Sequence, residues 1–311
     1  MLSWQARTLK SLLSARRFLS PKVDIQDVES GRVNLEMAGE ILRPIIHIDH
    51  IGVLANGVPS EWVIPAGAGS ERVILYLHGG AYNAGSTRSH RALAANIAFA
   101  AHARALTIDY RLAPEHPYPA ALVDAFSAYK WLLDLGIRPE QITVTGDSAG
   151  GGLTIALLVA LRERRVPMPA AAVVLSPWTD LSASGESWQE NAAADYLIHN
   201  SKLKEAARLY LKDASPQMPL ASPVYANLEG LPPLLIQVGS EEVLLSDSQR
   251  LAENARLSGV DVKLEVWEGM QHVWHFAASF VPEARQAIEN VGEFIHERSG
   301  VERMENLATS A

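Results

Sequence analysis

Short apolar runs rich in β-branched residues alternate with longer segments of helical periodicity from about residue 45 onward. The apolar runs predict eight strands, at residues 45–54, 61–64, 72–77, 105–108, 142–144, 172–175, 234–238 and 262–266. Between them, apolar residues spaced three and four apart predict helices at residues 89–101, 120–135, 153–164, 247–257 and 282–298. Because parallel strands need helical crossovers, this alternation predicts an α/β fold with a mostly parallel sheet covered on both faces.

Two regions, residues 1–44 and 183–220, lack this alternation. The first begins with an amphipathic segment, and the second predicts helix over residues 185–211 without an intervening strand. Ligands of an open parallel sheet bind at the carboxyl ends of its strands, so helical insertions there cover the site. We therefore predict a cap on a catalytic domain, with a frayed polar tail after Arg298. The predicted boundaries are residues 1–44 and 183–220 for the cap, and 45–182 and 221–311 for the catalytic domain.

Composition excludes several classes of function. The 311 residues carry 27 Lys and Arg against 35 Asp and Glu, a formal net charge of −8. This balance argues against a nucleic-acid partner, because phosphate binding needs a concentrated basic surface. The lack of cysteine excludes disulfides, thiolate nucleophiles and cysteine-ligated metals. No apolar run reaches the length of about 18 residues that suggests a membrane span, and the N-terminus is a poor secretory signal. We expect a soluble, cytoplasmic protein without stable membrane insertion.

A serine flanked by small residues follows the fifth predicted strand, where residues 146–150 read Gly-Asp-Ser-Ala-Gly. Between a strand and a helix this pattern is typical of a nucleophile elbow, in which the serine occupies a strained turn and small neighbours let the backbone approach closely. The following helix would place its positive end beside the Ser148 hydroxyl. A phosphate-binding loop is the alternative, but the Lys and the spacing of that motif are missing. We predict that Ser148 is a nucleophile.

Small residues also follow the third predicted strand, where residues 78–82 read His-Gly-Gly-Ala-Tyr. A hydroxyl that attacks a carbonyl creates an oxyanion, and small residues expose the backbone N–H groups that can bind it. We predict an oxyanion hole formed by the backbone N–H groups of four residues, Gly79, Gly80, Ala81 and Ala149. These groups need not all act at once. This chemistry requires neither a metal nor an organic cofactor.

His272 is the predicted general base, because it follows the last predicted strand, where a loop can return to the serine. His275 could form a metal pair with it, but no further ligand completes such a site, which favours a packing role. The acid of a serine triad should follow strand 234–238, where three carboxylates occur. Asp247 is better explained as a residue of a helix N-terminus, which leaves Glu241 and Glu242 as alternatives.

Together these motifs resemble the hormone-sensitive-lipase-like family of α/β-hydrolases, also called bacterial esterase family IV. The resemblance runs from about His78 to the final helix and includes HGGAY, DYRLAPEHPYPA, GDSAGGG, SPWTDLS and EGMQHVW. It implies an α/β-hydrolase fold with an eight-stranded sheet, a helical cap formed by the N-terminus and an insertion after the sixth strand, and the possibility of a homodimer. It also implies that His78 braces the oxyanion loop without catalysing.

The resemblance favours Glu242 over Glu241 as the acid. In the family's D-P-L-R-D pattern the acid precedes the catalytic His by thirty residues, and counting back from His272 reaches Glu242. The chain departs from the pattern in having Glu rather than Asp at this position, Val243 rather than Pro, and Ala81 rather than the usual third glycine.

The activity that this resemblance implies is that of a serine carboxylesterase, which hydrolyses small esters with short to medium acyl chains through an acyl-enzyme. Hydrolysis of amides or peptides, acyl transfer, and a non-catalytic small-molecule receptor are the alternatives that the same fold allows. Receptors of this fold usually lack a member of the triad. The retention of Ser148, His272 and a candidate acid therefore favours catalysis.

Overall fold

An eight-stranded sheet forms the centre of the computed structural model, which describes residues 2–19, 28–41, 44 and 46–299. Its strands in chain order are β1 (Ile48–Ala55), β2 (Val58–Pro65), β3 (Val73–Leu77), β4 (Arg104–Ile108), β5 (Ile142–Asp147), β6 (Ala171–Leu175), β7 (Leu234–Gly239) and β8 (Val262–Trp267). Each predicted strand is present, with ends within three residues of the prediction. Their spatial order is β1-β2-β4-β3-β5-β6-β7-β8. Only β2 pairs antiparallel with its neighbours β1 and β4, and all pairs from β4 through β8 are parallel.

Helices cover both faces of this sheet. In chain order they are α1 (Trp4–Leu19), α2 (Val28–Ile41), α3 (Thr87–Ala100), α4 (Ala120–Asp134), α5 (Ala149–Glu163), α6 (Ser187–Glu190), α7 (Asn200–Leu211), α8 (Leu245–Leu257) and α9 (Pro282–Arg298). Alternate side chains of β3 point to opposite faces. Val73 and Leu75 therefore pack in the core with α4, α5 and α8, whereas Ile74 and Tyr76 pack with α3 and α9. The predicted mostly parallel α/β fold is confirmed.

The second region of the predicted cap differs from its prediction in one stretch. Residues 185–211 do not form a continuous helix, because α6 and α7 are separated by a non-helical connection at residues 191–199. The carboxylate of Asp195 accepts the backbone N–H groups of Leu197 at 3.0 Å and Ile198 at 2.9 Å. Because this side chain supplies a partner outside a helix, it competes with helical hydrogen bonding there. The prediction of helix is wrong for this connection.

Side-chain contacts attach the two N-terminal helices to the rest of the molecule. The backbone N–H and the hydroxyl of Ser3, just before α1, donate to the two carboxylate oxygens of Glu283 in α9, at 2.6 and 2.7 Å. In α2, the guanidinium of Arg32 pairs with Glu115 at 2.7 Å and donates to the carbonyl of Asn83 at 2.8 Å. The tail beyond residue 299, for which fraying is predicted, lies outside the described residues.

Candidate active site

The Ser148 turn has the geometry that the sequence predicts. Ser148 follows β5 directly and immediately precedes α5, with φ +52° and ψ −119°, a conformation that is strained for a residue other than glycine. A Cβ atom on Gly146 would lie 2.3 Å from the carbonyl oxygen of Gly150, and one on Gly150 would lie 2.0 Å from that of Leu77. Glycine is therefore required at both positions. The same glycines allow α5 to begin at Ala149, four residues before its predicted start.

A buried carboxylate beside the serine joins this turn to the loop after β3. The Oδ1 atom of Asp147 accepts the hydroxyl of Tyr76 at 2.6 Å and the backbone N–H of Gly79 at 3.0 Å, and its Oδ2 atom lies 3.4 Å from Nε2 of His90. Burial alone would raise the pKa of Asp147. His90 and the hydroxyl of Tyr76 lower this pKa by more than burial raises it, so the net shift is downward. The ionised carboxylate thus fixes the loop that precedes the predicted oxyanion donors.

The contact with Asp147 corrects one predicted oxyanion donor. The N–H of Gly79 donates to this carboxylate, so it is not free to donate to an oxyanion. In the part of the chain that the structure describes, the N–H groups of Gly80 and Ala81 have no hydrogen-bond acceptor. The N–H of Ala149 belongs to the first residue of α5 and has no partner within the helix. These three groups remain available for an anionic oxygen.

His78 supports this loop from inside the protein. Its imidazole stacks on the ring of Tyr110 with centroids 4.2 Å apart, and its Nδ1 atom lies 2.7 Å from the carbonyl oxygen of Gly79. Burial lowers the pKa of His78 to about 3, with the neighbouring His90 as a further cause. A histidine that stays neutral and packed in this way fits the bracing role that the resemblance implies.

Glu242, and not Glu241, contacts His272. Its Oε2 atom lies 2.7 Å from Nδ1 of His272, and its Oε1 atom accepts the hydroxyl of Ser176 at 2.7 Å and the backbone N–H of Gly239 at 2.6 Å. Glu242 is completely buried. The side chain of Glu241 turns away and binds the ammonium of Lys10 and the amide of Gln271.

Opposing effects act on the pKa of His272. Burial lowers it, but the hydrogen bond and the negative charge of Glu242 outweigh burial, and the net shift is upward from 6.5. Contact with a carboxylate at Nδ1 also orients the ring and favours the tautomer with a free Nε2. Among the described hydrogen bonds, none joins His272 to Ser148. Such bonds are often long before a substrate binds and tighten in the complex.

Two other candidate residues, His275 and Asp247, lie in surroundings that favour packing and helix roles over catalysis. His275 is buried, and its Nε2 atom lies 2.8 Å from Oε1 of Gln237, while burial lowers its pKa to about 3. Asp247 lies in the first turn of α8, as predicted. Across the described ranges, no group of three or more His, Asp or Glu side chains is placed to hold a metal ion.

Two cavities adjoin these residues. One of about 260 Å³ touches His272 and lies between α1, α2 and the segment after β8, with Leu9 and Phe276 in its apolar wall. The other, of about 470 Å³, touches Ala81 and lies between α2 and α7. Leu197, from the connection between α6 and α7, lines both. Volumes of this order suit small ligands with apolar groups.

Several side chains hold the acid, or the loops of the acid and the base, and the sequence did not indicate a role for them. Ser176 donates to Glu242 and accepts the N–H of Val273, so it touches the loops of both residues. Its position directly after β6, at the carboxyl edge of the sheet, was a usable signal. Asp195 and Gln271 also hold these loops. No motif surrounds Asp195, and Gln271 lies in the EGMQHVW motif, from which only His272 received a role.

Comparisons with known proteins bear on the fold and the family of the chain. A family model described as the alpha/beta hydrolase fold matches residues 74–276. A solved structure of an esterase from the bacterial hormone-sensitive lipase family superposes with a TM-score of 0.91 at 44% identity, covering 96% of this chain and 100% of that one. The chain belongs to the hormone-sensitive-lipase-like family of α/β-hydrolases.

Curated relatives extend this finding. The hydrolase is 47% identical over 241 residues to an acetyl-hydrolase of Streptomyces hygroscopicus, an alignment that covers 78% of this chain and 80% of the relative. It is 39% identical over 232 residues to an esterase of Acinetobacter venetianus, with 74% and 77% covered. Among its described helices, none is both long and apolar enough to span a membrane.

Proposed function

We propose that this carboxylic ester hydrolase acts through an acyl-enzyme on Ser148. The observation that carries the proposal is the contact between His272 and the buried Glu242, at 2.7 Å, in a chain that also holds Ser148 in a strained turn after β5. His272 accepts the proton of the Ser148 hydroxyl as its oxygen attacks the ester carbonyl. Glu242 keeps the imidazole in the required tautomer and stabilises the imidazolium that forms.

The oxyanion of the tetrahedral intermediate binds to the N–H groups of Gly80, Ala81 and Ala149. Preorganised donors of this kind stabilise the charge that develops in the transition state. His272 then gives its proton to the leaving alcohol, and the acyl group remains on Ser148. Water, activated by the same imidazole, hydrolyses the acyl-enzyme and restores the serine.

We propose small esters with short to medium acyl chains as substrates. The support is the size of the cavities beside His272 and Ala81, about 260 and 470 Å³, and the apolar lining of the first. The named activities of the relatives, acetyl-hydrolase and esterase, are consistent with such substrates. Among the contacts that the described residues make at the site, none favours amide hydrolysis, acyl transfer or a receptor over ester hydrolysis.

We further propose that the enzyme works without a nucleic-acid partner, on the support of its net charge of −8. A cytoplasmic location stays a prediction from the sequence. Homodimerisation stays a prediction from the family resemblance. Light scattering coupled to size-exclusion chromatography tests it, since a dimer doubles the measured mass.

Replacement of the nucleophile tests the mechanism. Ser148→Ala should reduce hydrolysis of p-nitrophenyl butyrate by about 10⁴-fold or more, because attack by the hydroxyl is lost while folding is retained. The half-buried Ser127→Ala, on α4, is the matched control and should keep wild-type activity. Treatment with phenylmethylsulfonyl fluoride followed by peptide mass spectrometry should place the adduct on Ser148. A Ser148→Ala protein with the wild-type rate would contradict the mechanism.

A further inference from the structure

The connection between α6 and α7 binds the loop that carries Glu242. From this connection, which comprises residues 191–199, the amide of Asn191 donates to the carbonyl oxygens of Ser240 at 3.1 Å and Glu242 at 2.8 Å. Two carbonyls of one loop are therefore held by a single side chain from the predicted cap. This contact acts on the backbone of Glu242 itself.

Asp195 reaches the same loop from the middle of the connection. Its side chain is completely buried, and its Oδ2 atom accepts the N–H of Val243, the residue after Glu242, at 3.0 Å. Its Oδ1 atom accepts the N–H groups of Leu197 and Ile198. A buried carboxylate is costly unless its oxygens are bonded, and here both are. The side chain thus joins the turn of the connection to the loop of Glu242.

Gln271 joins the same connection to the other side of the pair. It precedes His272, is 5% exposed, and donates from Nε2 to the carbonyl oxygen of Ala194 at 3.0 Å. Its Oε1 atom accepts the N–H of Tyr196 at 2.7 Å. The residues on either side of Asp195 therefore hold the loop of His272, while Asp195 holds the loop of Glu242.

We infer that Asp195 is a positioning residue for the acid and base, because it fixes the loop of Glu242 to the chain segment that also holds Gln271. The inference rests on the proposed function of Glu242 and His272. A one-ångström change in the placement of such groups can lower a rate by about 10²-fold, so a rigid link between the two loops has a direct catalytic effect.

The charge of Asp195 adds an electrostatic effect that distinguishes this role from a purely structural one. Its negative charge raises the pKa of His272, as do those of Glu242 and Asp147. Further titratable groups lie near His272 and Asp195. They are His275 beside the base, the Lys10–Glu241 pair at the cavity that His272 lines, and His199, Arg17 and Lys202 on the cap side. Removal of the charge at residue 195 should therefore lower the pKa of His272.

The test is Asp195→Asn, which keeps the size of the side chain but loses its charge and replaces one of its two acceptor oxygens by an NH2 group. We expect kcat for p-nitrophenyl butyrate to fall on the order of tenfold, with little change in KM. We also expect the acid limb of the pH–rate profile to move to lower pH than in the wild type. Asp180→Asn is the matched control, since Asp180 is equally buried and is bonded by Ser182, Ser184 and Arg250. It should lower stability without moving the acid limb.

Two results would overturn the inference while the proposed function stands. One is an Asp195→Asn protein whose acid limb and kcat, corrected for the folded fraction, equal those of an active wild type. The other is an equal shift in Asp180→Asn. If Asp195→Asn does not fold, Asn191→Ala removes the bonds to Ser240 and Glu242 without touching a buried charge. A folded Asn191→Ala protein with unchanged kcat would then contradict positioning by this connection. Failure of the proposed mechanism would be seen separately, as a Ser148→Ala protein that keeps the wild-type rate.

Discussion

At the scale of single residues, four residues in or next to the proposed site have a strained backbone. Ser148, Ala81, Ser176 and Val273 all have φ between +46° and +53°, a region that costs a residue with a Cβ about 1–2 kcal/mol. Each of these residues follows a strand or flanks a residue of the proposed mechanism. Strain of this kind persists only where surrounding contacts hold it, and it keeps the reacting groups in place before the substrate arrives.

The charge of Glu242 should control the pH dependence of the enzyme. His272 must be neutral to accept a proton, and its pKa lies above 6.5, so the acid limb of the wild-type kcat/KM profile should have its midpoint above pH 6.5. Glu242→Gln removes the charge that raises this pKa and leaves burial, which lowers it. The midpoint should therefore move to lower pH, and kcat should fall by about 10³- to 10⁴-fold. Profiles from about pH 5 to about pH 8 measure both effects.

Glu241→Gln supplies the control for this experiment. The chemical change is the same one residue away, but Glu241 contacts Lys10 and Gln271 instead of His272. The midpoint should stay close to that of the wild type, with kcat of the same order. Equal shifts in both variants would show that Glu242 is not the acid.

At the scale of elements, the close packing of β3, β5 and α5 creates the serine turn. Gly146 and Gly150 let the start of α5 approach the ends of both strands, and Gly152 lets the next turn approach Trp178. Glycine lowers helix propensity, yet tertiary contacts outweigh that preference at the start of α5. The reason is steric: any Cβ at these positions would overlap backbone atoms of β3, of α5 or of the segment after β6.

Gly150→Ala should therefore be strongly destabilising. Its Cβ would lie 2.0 Å from the carbonyl oxygen of Leu77, a backbone atom that cannot move without distorting β3. We expect a loss of about 3 kcal/mol or more in the free energy of unfolding, measured by urea denaturation. Gly52→Ala in β1 is the control, because no atom lies within 4 Å of its added Cβ, and it should change stability by less than about 0.5 kcal/mol. Similar effects at the two positions would contradict the steric explanation.

At the scale of the whole molecule, a buried carboxylate joins the predicted cap to the sheet. Asp247 in α8 accepts the N–H groups of Thr179 at 2.9 Å and Asp180 at 2.8 Å, after β6, and the indole N–H of Trp188 in α6 at 3.2 Å. Burial, followed by the nearby charge of Asp180, raises the pKa of Asp247 from 3.8 to about 7. Protonation at this junction is therefore coupled to folding of the whole chain.

The sign of this coupling follows from the raised pKa. Because the folded state holds the proton more tightly, the contribution of Asp247 to stability is full below about pH 3.8 and is lost as the pH rises through about 7. Asp247→Asn cannot titrate. Its free energy of unfolding, relative to that of the wild type, should therefore increase between about pH 4 and about pH 8, even if the lost bond to Trp188 lowers stability at every pH.

Urea denaturation of both proteins at the two ends of this range provides the measurement. Asp134→Asn, which replaces an exposed carboxyl at the end of α4, is the control, and its difference from the wild type should stay constant with pH. A pH-independent difference for Asp247→Asn would mean that this carboxyl does not titrate as described.

Local sequence was sufficient for the elements and for part of the proposed site. Strands such as β3 and β6 are buried on both faces, so they appear as continuous apolar runs whatever lies around them. The turn of Ser148 is likewise visible, because the backbone there tolerates only small neighbours. Helix at residues 191–199 was predicted wrongly because the side chain of Asp195 bonds backbone groups that a helix would otherwise use.

The sequence by itself determined the alternation of strands and helices, the serine turn and the position of His272 after the last strand, since all three depend on residues close together in the chain. Only the tertiary structure decided which way neighbouring groups point. Glu241 turns toward Lys10, 231 residues away, which leaves Glu242 to contact His272, and Asp147 accepts the N–H of Gly79 from the neighbouring strand, 68 residues along the chain. Such choices are made by contacts between distant segments, so no local pattern contains them.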